Sequence, residues 1–220
     1  MLRRRMLGEP IAYLINQKEF WSLKFYVDAN VLIPRPDTEL LIQEVLKKVQ
    51  NSSLKILDLG TGSGAIAISL ALECPYCRIY GVDNNLKILQ IAKKNSIFLK
   101  ANNVQFIYSD WFLNLYKKKF HIIVCNPPYL SILRFKNLRS HLLYEPYSSL
   151  VAGDSGLESI QIILNNAPNY LYNRGWFFLE HCFKQTLAVR HFFKKNNFSF
   201  VKSYIDESGR YRITQGRFYY

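Results

Sequence analysis

Short apolar runs with several β-branched or aromatic residues recur along this chain between stretches of helical spacing. Lys55 to Gly60, Arg78 to Val82, Val104 to Tyr108, Ile122 to Cys125, Gly175 to His181, Phe198 to Tyr204 and Ile213 to Tyr220 read as strands. Between them, Leu41, Ile42, Val45, Leu46 and Val49 fall on one helix face. Ile66 to Leu72 is a small-residue helix, and stretches with Leu86, Leu89 and Ile91, with Ile160, Ile163 and Leu164, and from Leu187 to Phe193 are helical. Strands alternating with helices predict an α/β chain whose mostly parallel sheet is doubly wound. Ahead of it, Ala12-Tyr13-Leu14-Ile15, Glu19-Phe20-Trp21 and Lys24-Phe25-Tyr26-Val27 are short β-like pieces that predict a hairpin appendage within 1–34, followed by the main domain, 35–220. The prolines of Ile33-Pro34-Arg35-Pro36-Asp37-Thr38-Glu39 mark a helix start, with Asp37 or Thr38 as its cap. Arg35 and Glu39 are either surface charges or part of a pocket wall.

The run Ile122-Ile123-Val124-Cys125 stops at Asn126-Pro127-Pro128-Tyr129. Neither proline has an N–H for a ladder, so the strand ends and the chain turns, leaving Asn126 and Tyr129 at its carboxyl end. In an open α/β sheet that edge is where ligands bind. An amide beside a flat ring suits a planar NH2-bearing group, either a carboxamide or the exocyclic amine of a base. The same four residues also suit an ordinary strand-to-loop turn.

Upstream, Asp58-Leu59-Gly60-Thr61-Gly62-Ser63-Gly64-Ala65 joins a strand to a helix. Its glycines permit positive φ and close approach of a ligand to backbone N–H groups. Gly60, Gly62 and Ala65 fit a dinucleotide-type spacing. Asp83, at the end of the next strand, is placed either to accept the hydroxyls of a ribose or to cap the following helix. After the third strand come Ser109-Asp110-Trp111-Phe112. Asp110 can accept from an adenine amine, and Trp111 or Phe112 can lie on the ring; alternatively both aromatics are core. A nicotinamide enzyme would need a second nucleotide-binding half, for which this chain has little room. Asp58 points instead to S-adenosylmethionine, its carboxylate facing the ammonium group with Gly60, Thr61, Gly62, Ser63 and Gly64 around the amino-acid moiety. Beyond Tyr129 a polar, aromatic loop to about Leu150 suits a substrate-contacting lid. His181 stands at a strand end without an evident partner and reads as structural.

A chain of 220 residues predicts one main domain. No apolar run reaches the length of a membrane span, and the basic start lacks the apolar stretch of a secretory signal. Cys74, Cys77, Cys125 and Cys182 lack the spacing of a zinc site, so no metal and reduced thiols in a cytoplasmic protein are expected. The net charge of +13 is weak support for association near RNA, set against simple lysine-rich composition.

Together, Asp58 to Gly64, Asp83, Ser109 to Phe112 and Asn126 to Tyr129 resemble the class I S-adenosylmethionine-dependent methyltransferases, a Rossmann-like fold. Gly8-Glu9-Pro10, Glu19-Phe20-Trp21, Leu32 to Glu39 and the tail from Gly209 more closely resemble the release factor glutamine methyltransferases. That resemblance implies a seven-stranded sheet with one antiparallel strand, and methylation of the glutamine in the Gly-Gly-Gln motif of bacterial class 1 peptide chain release factors. It implies that Gly60 to Gly64, Asp83 and Trp111 contact the cofactor, and that Asn126, Pro127, Pro128 and Tyr129 hold the glutamine, with Asn126 also reaching the cofactor. The Asn126 side-chain oxygen and the Pro127 carbonyl would each accept one N–H of the target amide while Tyr129 packs on its plane. Family members usually carry a helical domain ahead of Gly8, which this chain is expected largely to lack. A monomer acting on protein, with no stable nucleic acid and no membrane, is expected. A nucleic-acid amine methyltransferase would instead show a base-flipping pocket in a contiguous basic groove. A non-catalytic binding subunit with a decayed site is the third reading, against which the intact motifs stand.

Overall fold

Strands with apolar residues on both faces are satisfied only between two layers of cover. The computed structural model, which describes residues 1–49 and 53–220, provides them. Its elements run α1 (Leu2–Met6), α2 (Ile11–Leu14), β1 (Lys18–Phe20), β2 (Leu23–Phe25), α3 (Glu39–Val49), β3 (Lys55–Leu59), α4 (Ala65–Glu73), β4 (Arg78–Asp83), α5 (Leu86–Phe98) and β5 (Val104–Tyr108). They continue with β6 (Phe120–Cys125), β7 (Leu130–Ser131), α6 (Ile132–Leu142), β8 (Val151–Gly153), α7 (Glu158–Asn166), β9 (Leu171–Glu180), α8 (Thr186–Lys195), β10 (Phe198–Ile205) and β11 (Tyr211–Phe218). No described helix is long and apolar enough to cross a membrane.

The central sheet has the order β10-β11-β9-β6-β3-β4-β5, with β11 antiparallel to its neighbours and the remaining pairs parallel. Successive side chains point to opposite faces. Ile56, Ile122, Val124 and Phe178 meet α3, α4 and the β1–β2 hairpin on one side. Leu57, Leu59, Ile123, Cys125, Phe177 and Leu179 meet α7 and α8 on the other. From β3 the chain steps outward through β4 and β5, then returns to place β6 on the opposite flank of β3. The direction of winding therefore reverses between β3 and β6, and the crevice at their carboxyl ends is where such folds bind ligands. Gly60 follows one strand and Asn126 the other.

Two local expectations change. Ala12 to Ile15 lies in and just after a helical turn instead of a strand. Pro10 presets the turn, and its carbonyl accepts from the N–H groups of both Tyr13 and Leu14. The stretch expected as a loop to Leu150 contains α6, closed by a parallel β7–β8 pair. Its stripe Ile132, Phe135, Leu138, Leu142 has helical spacing that the polar residues around it obscure.

Gly156 marks where the strap enclosing α6 crosses the chain leaving β6. Its φ is +78°, and a Cβ there would lie 2.7 Å from the Tyr129 carbonyl oxygen. Gly156→Ala should destabilise the fold by about 2–5 kcal/mol, combining the left-handed backbone penalty with overpacking. The midpoint of urea unfolding checks this; a midpoint equal to wild type would mean that the strap shifts freely.

Candidate active site

Two adjoining cavities open at the switch point. The first, about 720 Å³ including its open mouth, is lined by Gly60, Gly62, Asp83, Asp110, Trp111 and Asn126, with Leu32 and Ile88 as apolar walls. The second lies beyond Asn126 and is lined by Pro127, Tyr129, Leu138, Leu142 and the arginines 35, 134, 210 and 212. Asn126, Leu32 and Ser149 line both, so the wall between them is thin.

On the first side, β3 ends in a turn that needs glycine. Gly62 has φ +56°, and nothing lies within 4 Å of where its Cβ would be, so bare backbone faces the cavity. Its N–H donates to Asp83 Oδ2 at 3.2 Å. Asp83 is half-buried, and burial pushes its carboxyl up to about 6 against the backbone N–H groups of Gly62, Asn85 and Asn84. The cap of α5 is Asn85, whose side chain accepts from the Lys87 N–H, so Asp83 is released from capping. Trp111, with φ +46°, sets its ring beside Gly60. Phe112 turns away and stacks on Tyr170 in the core. Asp110 is exposed at the rim.

Asp58, Thr61, Ser63 and Gly64 do not line this cavity. Asp58 is fully buried beneath the loop, where its Oδ2 accepts from the Thr61 hydroxyl at 2.7 Å. Its Oδ1 has no partner among the described residues. Burial raises this carboxyl to about 7, against the hydrogen bond from Thr61. Ser63 is buried; its carbonyl accepts from Asn95. Gly64 begins α4 and packs on Ala92 of α5.

On the second side, Asn126 Nδ2 donates to the Thr38 hydroxyl at 3.2 Å, and Thr38 donates to Glu180 Oε2 at 2.7 Å. The Tyr129 hydroxyl donates to Glu180 Oε1 at 3.3 Å. Gln185 Nε2 donates to the carbonyls of both Tyr129 and Gly156. Thr38 is therefore no helix cap: the turn that precedes α3 has no side-chain cap, and Asp37 pairs instead with Arg212. Arg35 pairs with Glu145, which also accepts from the Ile33 N–H, fastening the α6 strap to the segment before α3. Glu39 accepts from the Trp21 N–H. Burial raises Glu180 to about 7 against Thr38, Arg212 and Tyr129. His181 is structural: fully buried, it bonds the Cys182 carbonyl and the Thr214 hydroxyl, and burial lowers it to about 4.

No local motif marks Glu180 or Gln185, and Leu32 and Thr38 lie in the Leu32 to Glu39 segment without a signal for these roles; the place of all four is set by contacts distant in sequence. Among the described residues no disulfide forms, all four cysteines are buried, and no His/Cys/Asp/Glu group is arranged for a metal.

Three carboxyls with raised pKa hold protons that the unfolded chain has already released. Their contribution to stability is complete below the ordinary carboxylate range and is lost as pH rises through about 6 to 7. Thermal midpoints should fall between about pH 5 and about pH 8, and Asp58→Asn should flatten that slope and raise the midpoint at the alkaline end. An undiminished slope in the variant would acquit Asp58.

The comparisons with known proteins agree with this geometry. Residues 35–153 match the model of the methyltransferase small domain. A protein of Buchnera aphidicola subsp. Schizaphis graminum named release factor glutamine methyltransferase is 50% identical over 97% of this chain and 78% of its own length. The Escherichia coli K12 protein of that name is 40% identical over 100% of this chain and 79% of its own. The crystal structure of a methyltransferase from Pyrococcus furiosus superposes with a TM-score of 0.68 at 17% identity, covering 99% of this chain and 98% of that one. With identity of this level running over nearly all of its length, the chain belongs to the release factor glutamine methyltransferase family.

Proposed function

We propose that this chain transfers a methyl group from S-adenosylmethionine to the side-chain nitrogen of the glutamine in the Gly-Gly-Gln motif of class 1 peptide chain release factors. Residues 35–220 form its catalytic unit, and it acts as a cytoplasmic monomer. One observation beyond family membership supports the reading most: Asn126 lines both cavities, so a donor on one side and an acceptor on the other would meet at its amide.

The first cavity suits the cofactor. Asp83 offers a carboxylate to ribose hydroxyls, Trp111 a flat wall to an adenine with Asp110 at its rim, and the turn at Gly62 bare backbone. Asp58 is walled in beneath the loop, so its part is to hold Thr61 in place from below. When bound, the cofactor supplies a methyl group already activated on a sulfonium.

The residues of the second side deal with a poor nucleophile, since an amide nitrogen shares its lone pair with the carbonyl. With its NH2 committed to Thr38, Asn126 is left with Oδ1 as an acceptor. Oδ1 and the Pro127 carbonyl each take one N–H of the target amide, which orients the nitrogen and favours positive charge growing on it. Tyr129 packs on the amide plane, and Pro128 lies on the cofactor side of the wall. No strong base is needed before transfer, because the proton becomes acidic only as the new bond forms.

Radiolabelled methyl transfer to purified release factor, to its Gln-to-Ala variant and to ribosomal RNA tests the assignment. Label is expected in the unaltered protein alone; label in RNA would favour the nucleic-acid reading. Asp83→Ala should weaken cofactor binding by about 1–3 kcal/mol, the scale of removing a charged hydrogen-bond acceptor; unchanged calorimetric affinity would take Asp83 out of the site. Asn126→Ala should slow single-turnover transfer about a hundredfold or more, with a much smaller loss of cofactor affinity. Rates within a few-fold of wild type would refute its role.

A further inference from the structure

We infer that Glu180, acting through the hydroxyl of Thr38, sets which way the Asn126 amide faces, making Glu180 and Thr38 positioning residues for methyl transfer. This rests on the glutamine-transfer reading above and adds to it two residues outside the Asn-Pro-Pro-Tyr motif.

The inference follows from counting protons. Thr38 Oγ carries one hydrogen and has two polar neighbours, Glu180 Oε2 at 2.7 Å and Asn126 Nδ2 at 3.2 Å. Above about pH 7, where Glu180 is ionised, its carboxylate only accepts, so the Thr38 hydrogen goes to Glu180. The oxygen of Thr38 then has only lone pairs to offer Asn126, and the atom of Asn126 that meets them must be the nitrogen. The amide oxygen is thereby turned away from Thr38, free to accept from a substrate. Amide nitrogen and oxygen differ little in shape, and packing alone distinguishes them poorly. Here the distinction is fixed by a carboxylate two hydrogen bonds away.

The frame is built to keep that direction. Glu180 is 1% exposed and stands one residue beyond the Cys125–Leu179 pair of the β6–β9 ladder, level with Asn126. Its other oxygen accepts from Tyr129, so a single carboxylate braces both ends of the tetrapeptide. Arg212 supplies positive charge nearby while pairing with Asp37 and Asp206. A glutamine at 180 would reverse the chain. Its NH2, if turned to Thr38, makes that hydroxyl donate to Asn126, and the Asn126 amide must then flip its NH2 toward the substrate, where two donors oppose each other.

The test compares Thr38→Val, Thr38→Ser and Glu180→Gln with wild type. Methyl transfer to release factor is followed in single turnovers at saturating cofactor and substrate, and S-adenosylhomocysteine affinity by calorimetry. Thr38→Val and Glu180→Gln should each slow transfer about ten- to a hundredfold while that affinity stays within about twofold, and Thr38→Ser should restore most of the rate. In an Asn126→Ala background, Thr38→Val should cost nothing further, because the two residues act as one unit. A Thr38→Val enzyme with the wild-type rate, a Thr38→Ser enzyme as slow as Thr38→Val, or losses that multiply in the double variant would each overturn the inference. If Glu180→Gln does not fold, the Thr38 series decides alone. A separate readout needs no activity: the side-chain amide resonances of nitrogen-labelled Asn126 should move in Thr38→Val and return in Thr38→Ser. Unmoved resonances defeat the positioning role. A wild-type chain that leaves release factor unlabelled yet shows the expected resonance shifts defeats the acceptor assignment instead.

Discussion

The sheet cannot hold the end of β6. Pro127 and Pro128 have no N–H groups, so the ladder that fixes Ile122 to Cys125 against β3 and β9 stops there. Whatever geometry the next residues keep must come from side chains reaching in from elsewhere. Thr38 arrives from the turn before α3, Glu180 from the end of β9, and Gln185 from the start of α8. The two prolines also restrict their own backbone, which limits what those braces must do. The outcome is a tetrapeptide stiff in its main chain and pinned at Asn126 and Tyr129. The wall shared by the two cavities depends on that pinning, as the glycine turn after β3 depends on Asp83.

How much of this could be read from the residues depends on the range of the interaction. The strands were legible because burial on both faces leaves continuous apolar runs, and the glycine turn because a positive φ restricts residue choice at Gly62 itself. Asn126 and Tyr129 were legible for the same reason, since the chain direction there follows from adjacent prolines. Thr38 was not. Beside Asp37 and after prolines it has the local signature of a cap, and its actual partner lies 142 positions away. Glu180 looks like any strand-end acid until the register sets it level with Asn126. Asp58 shows a subtler gap: its place at the strand end is evident, whereas its burial beneath Thr61 follows from how the turn closes over it.

The positive charge of the chain takes on a different meaning around the second cavity. Of the arginines lining it, Arg35 is engaged by Glu145, and Arg212 by Asp37 and Asp206. Arg134 donates to the Cys182 sulfur, and Arg210 lies over Phe183. Lysines elsewhere rest on aromatic rings, as Lys48 does on Trp176 and Lys94 on Tyr26. These cations therefore serve as mortar between segments.

Asn95, buried on α5, joins two parts of the molecule that sequence order would keep separate. Its amide accepts from the Tyr26 N–H, donates to the Tyr26 carbonyl, and donates again to the Ser63 carbonyl in the glycine turn. Phe20 and Phe25 fill the same core as α3 and α4, and Leu32 walls both cavities. The opening segment is thus continuous with the walls of both cavities. In evolutionary terms, the seam along which this enzyme can exchange modules does not lie between the hairpin and the sheet. A recombination there would strand a buried amide and open the wall of the crevice.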